Sequence, residues 1–205
     1  IVFDGGSIVA DNDSNIRMEM KTFSEDLQYL ELQDNGCLNL PILEKAVAFP
    51  EIPLDPESLE PELNIDLVYE ALKLGIRDYF SKMGFTKAIL GSSGGIDSAV
   101  ALAIAVDALG AENVHAILMP SAFSSIHSVE DATQLSINLG NPYEVISIEN
   151  IYQDFLLTLQ PVFENLPFNV AEENIQSRTR GNLLTAIANK FGYILLNTSN
   201  KSELA

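Results

Sequence analysis

Between residues 87 and 197 short apolar runs alternate with stretches of helical periodicity, and this alternation constrains the fold more than any other feature of the chain. Residues 87–90 are expected to form a short buried strand, and residues 95–109 an almost entirely apolar helix closed by Gly110. A second strand is predicted over 114–119. Ser128 followed by Asp131 carries a capping-box pattern, which opens a helix running to Leu139 and stopped by Gly140. A third strand is expected at 145–148, a helix at 172–190 with acids in its first turn and Lys190 in its last, and a fourth strand at 193–197. An earlier helix over 66–83 is marked by Leu67, Ala71, Leu74, Ile76 and Phe80. Strand and helix in alternation imply an α/β fold, a parallel sheet with helices on both faces, whose ligands bind beyond the carboxyl ends of the strands.

The part before residue 64 reads differently. Five of the nine prolines, Pro41, Pro50, Pro53, Pro56 and Pro61, lie between residues 35 and 63. That density excludes a persistent helix or inner strand and indicates a linker. Upstream of it, residues 1–4, 7–10 and 16–32 have β character, with turns at Gly5-Gly6 and at residues 11–14. So little sheet is expected to be the end of a larger domain, which gives an organisation of 1–34, linker 35–63 and a second domain from 64 to 205.

Charge removes several functions. Against 11 Lys plus Arg stand 29 Asp plus Glu, a formal charge of −18 with no basic run, so a nucleic-acid polymer is excluded as a partner. The acids concentrate before residue 67, away from the alternating region. Cys37 is the only cysteine, so neither an internal disulfide framework nor a multi-thiolate metal site can form. Without a long apolar run or a leader-like start, the chain is expected to avoid membranes and to work in the cytoplasm.

The chemistry is concentrated where the first buried strand meets the apolar helix, at Gly91, Ser92, Ser93, Gly94, Gly95, Ile96, Asp97 and Ser98. Glycines there let the backbone approach an anion closely, and the helix behind presents unpaired N–H groups. The hydroxyls of Ser92, Ser93 and Ser98 can donate to phosphate oxygens. Asp97 would repel a phosphate by itself, but a bound Mg²⁺ reverses the sign, so Asp97 reads as a magnesium ligand. No Lys-Ser or Lys-Thr follows the second glycine, which excludes a Walker A loop, and the dinucleotide fingerprint lacks its third glycine.

This stretch resembles the Ser-Gly-Gly-x-Asp-Ser loop of the PP-loop ATP pyrophosphatase superfamily, whose fold is of the adenine nucleotide alpha hydrolase type. The superfamily includes GMP synthetases, asparagine synthetases, tRNA-modifying enzymes and NAD synthetases. Residues 174–184, 189–192 and 196–205 are similar to the NAD synthetase signature, as is Met119-Pro120-Ser121 with Ser124, Ser125 and Ser128. The opening residues 2–7 resemble the end of the nitrilase-like glutaminase domain that precedes the synthetase domain in glutamine-dependent members, and the proline stretch sits where that family joins the two.

The resemblance implies a reaction and its sites. The nicotinate carboxylate of deamido-NAD would attack the α-phosphorus of ATP, the co-substrate, and ammonia made from glutamine upstream would then displace AMP. Residues 91–98 and Thr198 would contact ATP, Asn174, Arg178 and Glu203 deamido-NAD, and Asp97 and Glu203 Mg²⁺. Asn174 and Arg178, four residues apart, share a helix face. Ser199 departs from the family's usual glycine and disfavours positive φ. The glutaminase Glu, Lys and Cys triad would lie upstream of Val2, leaving Cys37 inert, and His115 and His127 lack partners at ligand or triad spacing. The chain is accordingly expected to be a piece of a larger homo-oligomeric enzyme, without glutaminase activity and with incomplete synthetase activity. Two other readings are another PP-loop adenylating ligase and a non-catalytic nucleotide-binding module.

Overall fold

The computed structural model describes residues 2–31, 40–41, 65–164 and 166–198. The chain divides into two compact units, Ile1–Gly75 and Ile76–Ala205. Cys37, Ser199, Glu203 and, apart from Leu40 and Pro41, the proline stretch 35–63 lie outside the described residues.

In the first unit β1 (Ile8–Ala10) pairs antiparallel with β2 (Ile16–Glu19), with Val9 opposite Met18 and a register shift between Val9 and Ala10. Asp11 closes the connection. Its carboxylate accepts from the backbone N–H groups of Asp13 and Asn15 and from Arg17 Nε at 2.7 Å. β structure is shorter than the composition of 1–4 and 16–32 predicts: besides β1 and β2, the described residues of this unit carry only an isolated bridge between Gly5 and Thr22. Phe23, at φ +53°, leaves the β region and ends the pairing.

The second unit carries a four-stranded parallel sheet in the order β5-β4-β3-β6. Its strands are β3 (Ala88–Gly91), β4 (Val114–Leu118), β5 (Tyr143–Val145) and β6 (Ile194–Leu195). The helices are α1 (Ile65–Met83), which starts in the first unit, α2 (Ile96–Leu109), α3 (Ile126–Leu139), α4 (Glu149–Phe163) and α5 (Val170–Phe191). Alternation along the strands divides the core in two. Ala88, Leu90, Val114, Ala116 and Leu118 face a cluster with Phe80 of α1, Leu102 and Ala105 of α2 and Ala132 of α3. Ile89, Ile117 and, just past β4, Met119 face the other way, toward Ala188 of α5 and Ile148 at the start of α4. The two central strands, β3 and β4, are buried on both sides, as parallel strands between helical layers must be.

The layering follows from the handedness of the crossovers. From β3 the chain steps through α2 to β4 and through α3 to β5, then returns to place β6 on the far side of β3. Right-handed crossovers taken in opposite directions put their helices on opposite faces. The strand order therefore reverses at β3, and the crevice at its carboxyl end is where ligands of such sheets settle.

Several elements differ from their sequence expectation. The α3 helix begins at Ile126, not 128: Ser125 is the N-cap, and its hydroxyl accepts from Ser128 N at 3.0 Å. The third strand is 143–145 rather than 145–148, because the ladder to β4 ends when Ile146 N donates to Leu118 O. Helix α4 has no counterpart in the sequence reading. Pro161 sits in its last turn, where the missing N–H removes a single terminal bond and so does not break it.

Candidate functional site

The loop after β3 begins as a continuation of the sheet, with Ser92 N donating to Ile117 O at 2.9 Å. It then turns back through Gly94, whose φ of +83° belongs to the left-handed region. Ser98, buried in the first turn of α2, holds the turn together: its Oγ donates to Gly95 O at 2.9 Å and accepts from Ser93 N at 3.2 Å. Ser93 Oγ lies 3.0 Å from Ser98 Oγ and accepts from Gly95 N at 3.2 Å. Ser98 thus organises the loop from within, whereas the Ser92 hydroxyl is buried and lacks a partner. No side chain caps α2 at Gly95, so the N–H groups of its first turn remain open to an anion.

Beside this loop is a cavity of about 470 Å³, within the size range of ligand pockets. One wall is Gly91, Ser92 and Ser93; a second is Met119, Pro120, Ser124, Ser128 and Val129; the third is Ser177, Arg180, Gly181 and Leu184 of α5. Gly91 keeps it open, since a Cβ there would meet Leu184 Cδ1 at 3.2 Å and Met119 Cε at 3.3 Å. The cavity combines an apolar flank of Met119, Val129 and Leu184 with hydroxyls and one guanidinium. That suits a ligand with a flat apolar part and an anionic part.

The segment after β4 is held on three sides. Glu149 accepts from Ala122 N at 2.8 Å, and the bonds from Gln153 and Ala122 hold its carboxyl below the usual range. Ser124 Oγ accepts from Ser121 N at 3.0 Å. Across the cavity, Ser121 Oγ donates to the buried Gln176 at 3.0 Å, and Arg180 Nε donates to Met119 O at 3.1 Å. Burial pushes the Arg180 pKa down.

The residues singled out in the sequence separate here. Gly91, Ser92 and Ser93 line the cavity, with Gly94, Gly95 and Ser98 shaping the loop, while Ile96 and Asp97 are exposed at the start of α2. Thr198 is half-buried just past β6 and outside the cavity wall. Asn174 and Arg178 are both exposed on α5, and neither is part of the cavity wall. His115 lies 3.7 Å from Glu144 and His127 is exposed, and neither lines the cavity. Ser177, Arg180, Gly181 and Leu184 were missed. Their spacing of three, one and three marks one helical face, and it could have been found by following α5 from Arg180 rather than from Arg178.

For Mg²⁺ the donor set is small. Among the described residues no group of three or more acidic, histidine or cysteine side chains converges. Exposed Asp97 at the loop's edge nevertheless fits the way this ion is usually held, by one or two carboxylates together with substrate phosphates.

Comparison with known proteins gives a consistent result. Residues 68–205 match the family model described as NAD synthase. A glutamine-dependent NAD(+) synthetase of Synechocystis is 48% identical over all of this chain and 34% of its own length. A solved structure of glutamine-dependent NAD+ synthetase from Acinetobacter baumannii, in complex with ADP, superposes with a TM-score of 0.83 at 41% identity, covering 98% of this chain and 36% of that one. The NH3-dependent NAD synthetase of Campylobacter jejuni superposes with a TM-score of 0.61 at 32% identity, over 68% of this chain and 58% of its own. The chain spans about a third of the length of the curated relatives it matches, here 34% and 35%.

Proposed function

The chain belongs to the NAD synthase family, and from that premise we propose that it forms the ATP-handling part of a ligase that amidates deamido-NAD to NAD, with ammonia drawn from glutamine by a nitrilase-like domain. The observation that carries this reading is that the serine loop and Arg180 line one cavity at the strand-order reversal, with the uncapped α2 N-terminus following directly on the loop. Residues 1–34 read as the end of the glutaminase domain, 35–63 as the linker and 64–205 as the first part of the synthetase domain. The ADP held by the Acinetobacter baumannii protein supports an adenine nucleotide as the ligand.

A carboxylate is a poor acyl donor because its oxygen is a poor leaving group. Transfer of AMP to the nicotinate carboxylate removes that obstacle: the carboxylate oxygen forms a bond to the α-phosphorus, the bond to the β-phosphate oxygen breaks, and pyrophosphate leaves. Ammonia then attacks the acyl carbon and AMP departs. In the first step charge grows on the departing pyrophosphate, and the fixed N–H groups of the loop and α2 stabilise it without reorganising. Met119, Val129 and Leu184 provide an apolar slot for the adenine. Asp97 and Glu203 would hold Mg²⁺, which when bound neutralises phosphate charge. Asn174 and Arg178, exposed on α5, with Glu203, would contact deamido-NAD, and Thr198 would contact ATP. The complete enzyme is read as a cytoplasmic homo-oligomer; among the described residues no helix is long and apolar enough to cross a membrane.

The test is made on the full-length polypeptide with deamido-NAD, MgATP and either ammonia or glutamine. NAD, AMP and pyrophosphate should appear in equal amounts. Adenylation of a different acceptor would favour another PP-loop ligase, and nucleotide binding without pyrophosphate release a non-catalytic module; either would displace the proposal.

A further inference from the structure

Arg180 stands in the cavity wall with a charge that its neighbours leave unanswered. Nε donates to the Met119 carbonyl at 3.1 Å and Nη2 to the Ser121 hydroxyl at 3.4 Å, and both acceptors are neutral. Among the described residues no carboxylate lies within ion-pair distance of it. A guanidinium has five N–H donors, so the two Nη1 donors and one on Nη2 are left for a ligand. Withdrawing a cation from water without an opposing charge is costly, and burial accordingly lowers the Arg180 pKa. Structural arginines normally avoid this by pairing with an acid, and 29 acids are available in this chain.

The guanidinium is also held in place. Gln176, one turn earlier on α5 and only 8% exposed, accepts from Ser121 Oγ at 3.0 Å, and Ser121 in turn accepts from Arg180. Gln176, Ser121 and Arg180 thus form a fixed bridge between α5 and the segment after β4. The opposite wall is the serine loop, with the Ser92 hydroxyl buried and partnerless. An anion seated on that loop would stand across the cavity from the guanidinium and answer its charge.

We infer that Arg180 is an anion-binding residue of this cavity, taking a phosphate oxygen of the nucleotide seated on the serine loop, and that Gln176 is its positioning residue, acting through Ser121. The inference rests on the ATP-dependent reading given above, and it separates Arg180 from exposed Arg178 in function.

The test measures binding of MgATP, inorganic pyrophosphate and adenosine to the full-length protein, wild type and Arg180→Gln. Glutamine can still donate to the Met119 carbonyl but carries no charge, and matching melting curves check that it folds. MgATP and pyrophosphate should bind roughly 10- to 100-fold more weakly, the scale of a hydrogen bond to a charged group, with adenosine unchanged. Arg180→Lys, which keeps the charge but not the fork, should recover part of the loss. Equal weakening for all three probes would reduce Arg180 to a strut for Met119 and overturn the inference, as would no weakening for any. If the wild type binds none of the phosphate probes, the ATP reading itself fails. For the positioning role, Gln176→Ala should weaken MgATP, and the double variant should lose little beyond Arg180→Gln alone; additive losses would sink that role.

Discussion

Gly94 packs against Ser128 so closely that a Cβ on residue 94 would stand 2.8 Å from the Ser128 α-carbon and closer still to its carbonyl. The loop that precedes α2 is thereby seated on the first turn of α3, and no side chain can come between them. The φ of +83° adds a second reason for glycine.

Gly94→Ala must therefore both strain the backbone and push the loop off α3. The conformational part alone costs about 1–3 kcal/mol. Lowered thermal stability together with loss of MgATP binding is expected in the full-length protein. A variant that melts and binds like the wild type would show that the contact gives way freely.

Ser98 tests the interior of the same loop. Ser98→Ala removes one of two bonds to Gly95 O, which keeps that from Ala99 N, and the acceptor for Ser93 N, at about 0.5–1.5 kcal/mol per hydrogen bond. Chemical denaturation should register that loss, and KM for ATP should rise because the loop loses its set shape. Ser98→Thr, which keeps the hydroxyl, should recover at least part of both.

Asp97 should behave in the opposite way. It is exposed, so Asp97→Asn is expected to leave the melting temperature within experimental scatter while shifting the Mg²⁺ concentration needed for half-maximal pyrophosphate release upward by tenfold or more, roughly the effect of one lost charged contact. An unchanged Mg²⁺ titration would remove Asp97 from the metal site.

The sheet region was largely readable from the chain, because buried parallel strands and an apolar helix leave strong periodic signals at 88–91, 96–109 and 114–118. The loop was readable because its residue types serve a backbone geometry. The α4 helix was hidden by Pro161, whose penalty depends on its place within the helix, a fact visible only once the helix end is known. Arg180 was passed over for Arg178 for a related reason. Both lie on α5, and only packing against Met119 and Ser121 distinguishes the arginine that enters the cavity from the one that stays exposed. Helix starts were displaced by two residues at both 126 and 170, since serines and asparagines supply several candidate caps and tertiary contacts choose among them.

The cap of α5 offers a stability test that leaves the cavity walls untouched. Asn169 Oδ1 accepts from Ala171 N at 2.8 Å while Glu172 Oε2 accepts from Asn169 N at 2.9 Å. Asn169→Ala should destabilise the protein by about 0.5–2 kcal/mol. Equilibrium unfolding in denaturant should show this without a change in Kd for MgATP.

The β1–β2 turn should carry its own acid dependence. Desolvation raises the Asp11 carboxyl, but hydrogen bonds from Asn15, Arg17 and Asp13 together outweigh it and hold the pKa at about 2, against an ordinary 3.8. A carboxyl depressed on folding contributes its stabilisation in full above its unfolded value and loses it as pH falls through the folded one. The turn should thus loosen between pH 3.8 and about 2, not before. Following the Asp11 carboxyl carbon shift against pH gives the midpoint directly; a midpoint near 3.8 would contradict the hydrogen-bonded turn.

The three walls of the cavity come from chain segments far apart in sequence, brought together only when β3 has paired with β4 and α5 has closed over them. A nucleotide held between those walls would act as a rivet through the tertiary structure. By mass action it would add about 2.7 kcal/mol to stability at a hundred times its Kd. Amide protection would then rise together in the serine loop, the start of α3 and the middle of α5, three regions that local secondary structure alone gives no reason to respond as one.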